Sequence, residues 1–226
     1  CAEGEEFSCE VLVVRGVAHV LAVGQKVKSP LPYRVDCSVQ YQGTLDKVEQ
    51  QQVSRMAQDA VARLLVENGV AHIEFAATSR GLKLFELGVR CGGGHTPMIA
   101  KHVSGTNEFI EYCKLSCGIQ NPLVSDLPKK GADYRFVIFP PGKVDRVAID
   151  PKIHGMHGVY DVVVTAKEGD TIRNLRTTSD RSGAIVTFGV DKADAVDIAN
   201  RASKLITVFY TDGSCSHPIV PDQPVL

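Results

Sequence analysis

The sequence predicts an α+β fold in two parts, an antiparallel sheet with helices followed by a smaller β-rich α+β domain. Three observations carry this expectation. Strand-like runs rich in Val, Ile and Phe recur between turn residues. One long helix shows clean three- and four-residue spacing. After a Pro-, Lys- and Asp-rich stretch at 122–131 the texture changes to short strands separated by turns.

Phe7 to Val14 reads as the first strand, Arg15-Gly16 as a turn, and Val17 to Val23 as the second strand of a hairpin. Gly24 to Tyr41, with Pro30 and Pro32, reads as irregular. In the helix that follows, Val53, Met56, Ala57, Ala60, Val61, Leu64 and Leu65 share one face. Thr44 is the expected N-cap, with Asp46 in the first turn and Asn68-Gly69 as the stop. Ala71–Ala77 and Leu82–Val89 read as two strands, Cys91-Gly92-Gly93-Gly94 as a glycine cluster, and Asn107–Cys117 as a helix closed by Gly118. The second part offers strands at 134–139, 144–149, 158–165 and 184–188, a helix over 192–204 and a strand at 206–210. The expected domains are residues 1–122 and 132–226.

Composition narrows the function classes. A hydrophobic content of 44% with 23% charged residues is that of a soluble globular chain. A net charge of −1 gives no broad basic field for a nucleic-acid backbone. No apolar run has the ~20 residues that span a bilayer, and the N-terminus lacks the pattern of a secretion signal. The seven scattered cysteines are an odd number without a disulfide framework, so reduced thiols and a cytoplasmic setting are expected. Cys113 and Cys117, one helical turn apart, lack the second Cys/His pair that a zinc site needs.

The chemistry concentrates in one hairpin. Alternation puts His72 and Glu74 on one face of a strand, and Glu86, Gly88 and Arg90 on one face of the next. If Ser79-Arg80-Gly81 is a three-residue loop with Gly81 left-handed, Thr78 pairs with Leu82 and Glu74 lies opposite Glu86. Like charges directly opposed destabilise a pair unless a proton or a cation offsets them. Hard carboxylate oxygens suit Mg²⁺ or Mn²⁺. Arg90 and the amides of Gly92, Gly93 and Gly94 add an environment suited to phosphate. A solvated hairpin face with two unrelated carboxylates is the competing reading, since a one-residue slip separates them.

At these residues the chain resembles the ATP-grasp superfamily of carboxylate–amine ligases. The matching runs are His72-Ile73-Glu74-Phe75, then Leu84-Phe85-Glu86-Leu87-Gly88-Val89-Arg90, and the segment Gly4-Glu5-Glu6-Phe7-Ser8-Cys9-Glu10. The match covers roughly residues 3–120, as the C-terminal part of an ATP-grasp domain. The later turns at Pro140-Pro141-Gly142-Lys143, Lys167-Glu168-Gly169-Asp170 and Asp180-Arg181-Ser182-Gly183 look like the small C-terminal domain of L-amino-acid ligases. Gly88 stands where many relatives carry a metal-ligating Asn. The adenine hinge, the lid and the N-terminal domain of the family have no counterpart in the sequence.

The resemblance implies ATP and Mg²⁺ (or Mn²⁺) as cofactors, with Glu74 and Glu86 as metal ligands. It implies that Arg90 holds an acyl phosphate or substrate carboxylate, with Gly92, Gly93 and Gly94. Glu6, Lys26, Lys28 and His95 are further candidates for the cofactor site. Lys26 and Lys28 read equally well as surface lysines, His95 as a structural histidine, and His72 as a residue that orients a metal ligand. The implied substrates are an acid or amino acid and an amine, joined through an acyl phosphate. No nucleic-acid or membrane partner is expected, a homodimer is compatible, and the fragment alone is expected to be inactive. A carboxylase or purine-pathway ligase, and a non-catalytic module on the same fold, are the alternatives.

Overall fold

The computed structural model describes residues 4–42, 45–119, 124 and 130–220. In chain order the elements begin with β1 (Glu5–Val14), β2 (Val17–Lys28), β3 (Asp36–Tyr41), α1 (Lys47–Arg63), β4 (Gly69–Thr78), β5 (Gly81–Gly88), α2 (Thr96–Ser104) and α3 (Glu108–Ser116). They continue with β6 (Gly131–Phe136), β7 (Gly142–Ile149), β8 (Val159–Val164), β9 (Thr171–Ile172), β10 (Gly183–Gly189), α4 (Lys192–Ser203), β11 (Ile206–Tyr210) and β12 (Cys215–Ser216). Residues 1–25 and 41–130 form one compact unit, and residues 26–40 and 131–226 form the other. Residues 26–40 thus group with the second unit rather than with the first stretch of chain. Most of the expected linker, and Thr44, lie outside the described residues.

In the first unit the strands run in the order β5-β4-β1-β2, all antiparallel. Alternation gives β1 an apolar face of Phe7, Cys9, Val11 and Val13, aligned with Phe75, Ile73 and Ala71 of β4. Val53, Ala57 and Val61 of α1 close this core, and the rings of Phe7 and Phe75 stack 5.4 Å apart. Asp46 caps α1 through a reciprocal capping box with Glu49. The helix stops at Arg63, earlier than Asn68-Gly69, and Leu65 turns left-handed with φ of 54°. Leu64 and Leu65 are therefore exposed instead of lying on the core face.

Three further expectations are corrected. Residues 24–41 are not irregular throughout, because β2 runs on to Lys28 and β3 occupies Asp36–Tyr41. The glycine cluster leads into α2, a helix with Pro97 in its first turn. The β4–β5 loop is one residue shorter than expected, so Thr78 pairs with Gly81 and not with Leu82.

The second unit holds a sheet of order β3-β6-β10-β8 and another of order β12-β11-β7-β9. Val137, Phe139, Val144, Ile153, Ile185, Ala202, Ile206 and Val208 belong to its core. Arg135 and Asp133 form a fully buried ion pair at 2.7 Å. Among the described residues no helix is long and apolar enough to cross a membrane.

The stacked Phe pair sits at the centre of the first core. Phe75→Ala is expected to lower unfolding free energy by about 3–5 kcal/mol, the range for a truncated buried aromatic. Urea denaturation of the two proteins measures it.

Candidate functional site

The face of the first sheet opposite α1 carries the polar side chains. In the register of β1, β4 and β5, Glu10, His72 and Gly88 form one cross-strand row, and Ser8, Glu74 and Glu86 form the next. Glu74 and Glu86 are directly opposed, by a route the loop length alone does not provide. The shorter loop sets Phe75 against Leu84, and regular pairing would then bring Phe85 opposite Glu74. A bulge between Glu74 and Phe75 in the pairing leaves Phe85 as the extra residue and brings Glu86 into register.

The two carboxylates have different surroundings. Glu86 is largely exposed, and Arg90 reaches it from four residues along, with nitrogen and oxygen 3.5 Å apart. Arg90 also donates to the Cys91 carbonyl at 3.0 Å. Its stem folds over Gly88, where a Cβ would lie 3.2 Å from Arg90 Cγ and Nε. Glu74 is more enclosed, and its Oε1 lies 3.4 Å from His72 Nε2. Among the described residues no three His, Cys, Asp or Glu side chains converge as a closed metal site. Two hard carboxylates on one face still fit Mg²⁺, which is usually bound by one or two carboxylates plus substrate phosphates.

Behind His72 lies Glu10, which is completely buried. One of its oxygens bonds His72 Nδ1, and the other accepts the Gly92 amide at 2.9 Å. That amide is therefore engaged inside the protein. A Cβ on Gly92 would lie 2.6 Å from Thr96 Cγ2 and 2.7 Å from Glu10 Oε1, so close packing requires glycine here. Gly94 is left-handed with φ of 61°, Gly93 accepts from the Thr96 amide at 3.3 Å, and His95 precedes α2 as its N-cap residue.

Glu108, the first residue of α3, is also completely buried, with the Cys91 thiol as its polar neighbour. Burial first, and then the neighbouring Glu10 carboxylate, push its pKa up from 4.5 to about 7. Cys91 beside it is pushed up to about 12, chiefly by burial and then by Glu108. For His72 burial acts downward, but the bonds to Glu10 and Glu74 outweigh it and hold the imidazolium to about 9.

The other expected site residues are Glu6, Lys26 and Lys28. Glu6 shares the polar face of β1, opposite Ala76. Lys26 and Lys28 belong to β2, not to a loop, and both reach Asp36 at 3.8 and 3.2 Å, in the second unit. Sequence reasoning missed Glu10 and Glu108. The available signal for Glu10 was a carboxylate set in the buried, mostly apolar middle of β1. For Glu108 there was no comparable signal, since an acidic first helical residue is ordinary.

Comparison with known proteins agrees with the resemblance. Residues 135–211 match the family model described as L-amino acid ligase C-terminal domain 2. No curated protein matches the chain by sequence. Among solved structures, L-amino acid ligase from Bacillus licheniformis superposes with a TM-score of 0.78 at 21% identity, over 93% of this chain and 55% of that one. Phosphoribosylglycinamide synthetase from Anaerococcus prevotii gives 0.78 at 15%, over 93% and 55%. The biotin carboxylase domain of Hydrogenobacter thermophilus 2-oxoglutarate carboxylase, solved with MgADP and bicarbonate, gives 0.64 at 13%, over 95% and 46%. The chain thus has the ATP-grasp C-terminal fold and spans about half the length of these proteins.

The buried Glu108 makes a pH prediction. A carboxyl whose folded pKa is raised holds its proton more tightly when folded, so stability falls as pH climbs from 4.5 to about 7 and then levels. His72 acts in the same direction over 6.5 to about 9. For Glu108 the loss is on the order of 3 kcal/mol. Glu108→Gln should remove the lower-pH part of this decline, as measured by urea midpoints from pH 5 to 8.

Proposed function

We propose that this chain is the metal- and phosphate-holding part of an ATP-dependent carboxylate–amine ligase. The observation that carries the reading is the direct opposition of Glu74 and Glu86 across the β4–β5 hairpin. A binding module has no use for two carboxylates held against their mutual repulsion. The match at residues 135–211 supports an amino-acid ligase ahead of a carboxylase or a purine-pathway enzyme.

In the proposed reaction the carboxylate of one substrate attacks the γ-phosphorus of ATP, releasing ADP and forming an acyl phosphate. An amine then attacks the acyl carbon and phosphate leaves. Glu74 and Glu86 would hold Mg²⁺, which would supply positive charge against the phosphate oxygens. Arg90, beside Glu86, would take an anionic oxygen of the acyl phosphate or substrate. Gly93 and Gly94 are the remaining candidates for backbone contact with the anion, because the Gly92 amide serves Glu10. Lys26 and Lys28 are proposed as phosphate or carboxylate partners, a role that requires their pairing with Asp36 to be shared. The folded-back Arg90 occupies the space above Gly88 where an Asn side chain would begin.

Two outcomes are expected. Glu74→Gln and Glu86→Gln should each weaken Mn²⁺ binding by tenfold or more in an electron paramagnetic resonance titration with ADP. Unchanged binding in both variants would remove the metal reading. The chain alone should show neither micromolar affinity for Mg²⁺-ATP by calorimetry nor acid-dependent ADP release over mixed amino acids. Adenine contacts from elsewhere in a ligase normally add several kcal/mol, each 1.4 kcal/mol being about tenfold in Kd. Either signal would mean that this chain assembles a complete site.

A further inference from the structure

We propose that Glu10 and His72 are positioning residues that tie the glycine loop to the Glu74 carboxylate through one continuous chain of polar contacts. The inference rests on the reading of Glu74 as a metal ligand. The chain of contacts runs from the Gly92 amide to Glu10 Oε2 at 2.9 Å, from Glu10 Oε1 to His72 Nδ1, and from His72 Nε2 to Glu74 Oε1 at 3.4 Å. It crosses β1, β4 and the loop that follows Arg90.

A fully buried carboxylate at position 10 is costly unless its oxygens are answered. Glu10 neighbours Ala22 on one side and His72 on the other, on the face of β1 that also carries the buried Ser8 and the buried, apolar Leu12. An apolar side chain would pack in such a strand with no need for partners. What the carboxylate adds is geometry, since its two oxygens fix the loop backbone and the imidazole plane together. Gly92 is pressed so closely on this pair that a Cβ would lie 2.7 Å from Glu10 Oε1 and 2.9 Å from His72 Nδ1. With its plane set, His72 directs Nε2 at Glu74, and Glu74 loses the freedom to turn away from Glu86. Groups that hold a metal ligand in this way typically change metal affinity by about 10–100-fold when removed.

The test uses two conservative variants of this chain. His72→Asn reproduces Nδ1 with its amide, keeping the Glu10 contact, but has nothing at Nε2. Glu10→Gln keeps the shape and loses the anion. Each should weaken Mn²⁺ binding about 10–100-fold, and His72→Asn should do so while the melting temperature stays near that of the parent. A nitrogen-resolved NMR spectrum adds a readout that a merely structural role would not move. Glu74→Gln should shift the Gly92 amide signal in the parent protein and leave it in place in His72→Asn. Parental Mn²⁺ affinity in His72→Asn, with loss in Glu74→Gln and Glu86→Gln, overturns the inference and leaves the metal reading standing. Parental affinity in the two carboxylate variants overturns the metal reading and the inference with it. If Glu10→Gln does not fold, His72→Asn and the Gly92 signal decide.

Discussion

Two carboxylates that face each other across a hairpin repel, and the first unit is organised around keeping them there. Glu74 and Glu86 are held by strand register, and the register is held by what lies on the reverse of the sheet. Phe7, Ile73 and Phe75 are locked against α1, so a slip of one residue would turn this apolar set to the polar side. The repulsion is met locally by cations on both sides: Arg90 serves Glu86 and His72 serves Glu74. Neither contact is short.

A second layer of charge lies beneath the first. Glu10 and Glu108 are both removed from water, and only one of them is well supplied with donors. Glu10 takes the Gly92 amide and His72, while Glu108 is left beside the Cys91 thiol and retains its proton to near neutrality. An uncompensated buried acid is tolerated when it can stay neutral. The difference follows from position, because Glu10 lies in the middle of a strand facing His72, whereas Glu108 opens α3 behind it.

Much of this was legible in the sequence, and the exceptions have physical causes. The apolar periodicity of β1, α1 and β4 marks the core because each face is set by local geometry. The opposition of Glu74 and Glu86 was reached through two errors that cancel. The loop is one residue shorter than inferred, and the Phe85 bulge restores the difference. Bulges answer to packing, with Leu87 drawn back against the core, and carry no reliable local signature. The continuation of β2 was hidden by Gly24, whose local preference is overridden by pairing, and β3 by Pro30 and Pro32, which stay in the connection before it. α2 is short and follows three glycines, so its periodicity had no room to show. Glu10 was missed because its partner is 62 residues away, and the β1–β4 pairing that joins them is not a local property. In the second unit the strand at 144–149 was read closely, whereas the one expected at 134–139 starts three residues earlier, as β6 at Gly131–Phe136.

The account stands on where a divalent cation goes. Crystals of this chain grown with Mn²⁺ and ADP, with data collected at the manganese edge, would locate it by anomalous scattering. The account predicts a peak bridging the carboxylates of Glu74 and Glu86, with His72 still directed at Glu74. Manganese bound elsewhere, with both carboxylates free of metal, would contradict it.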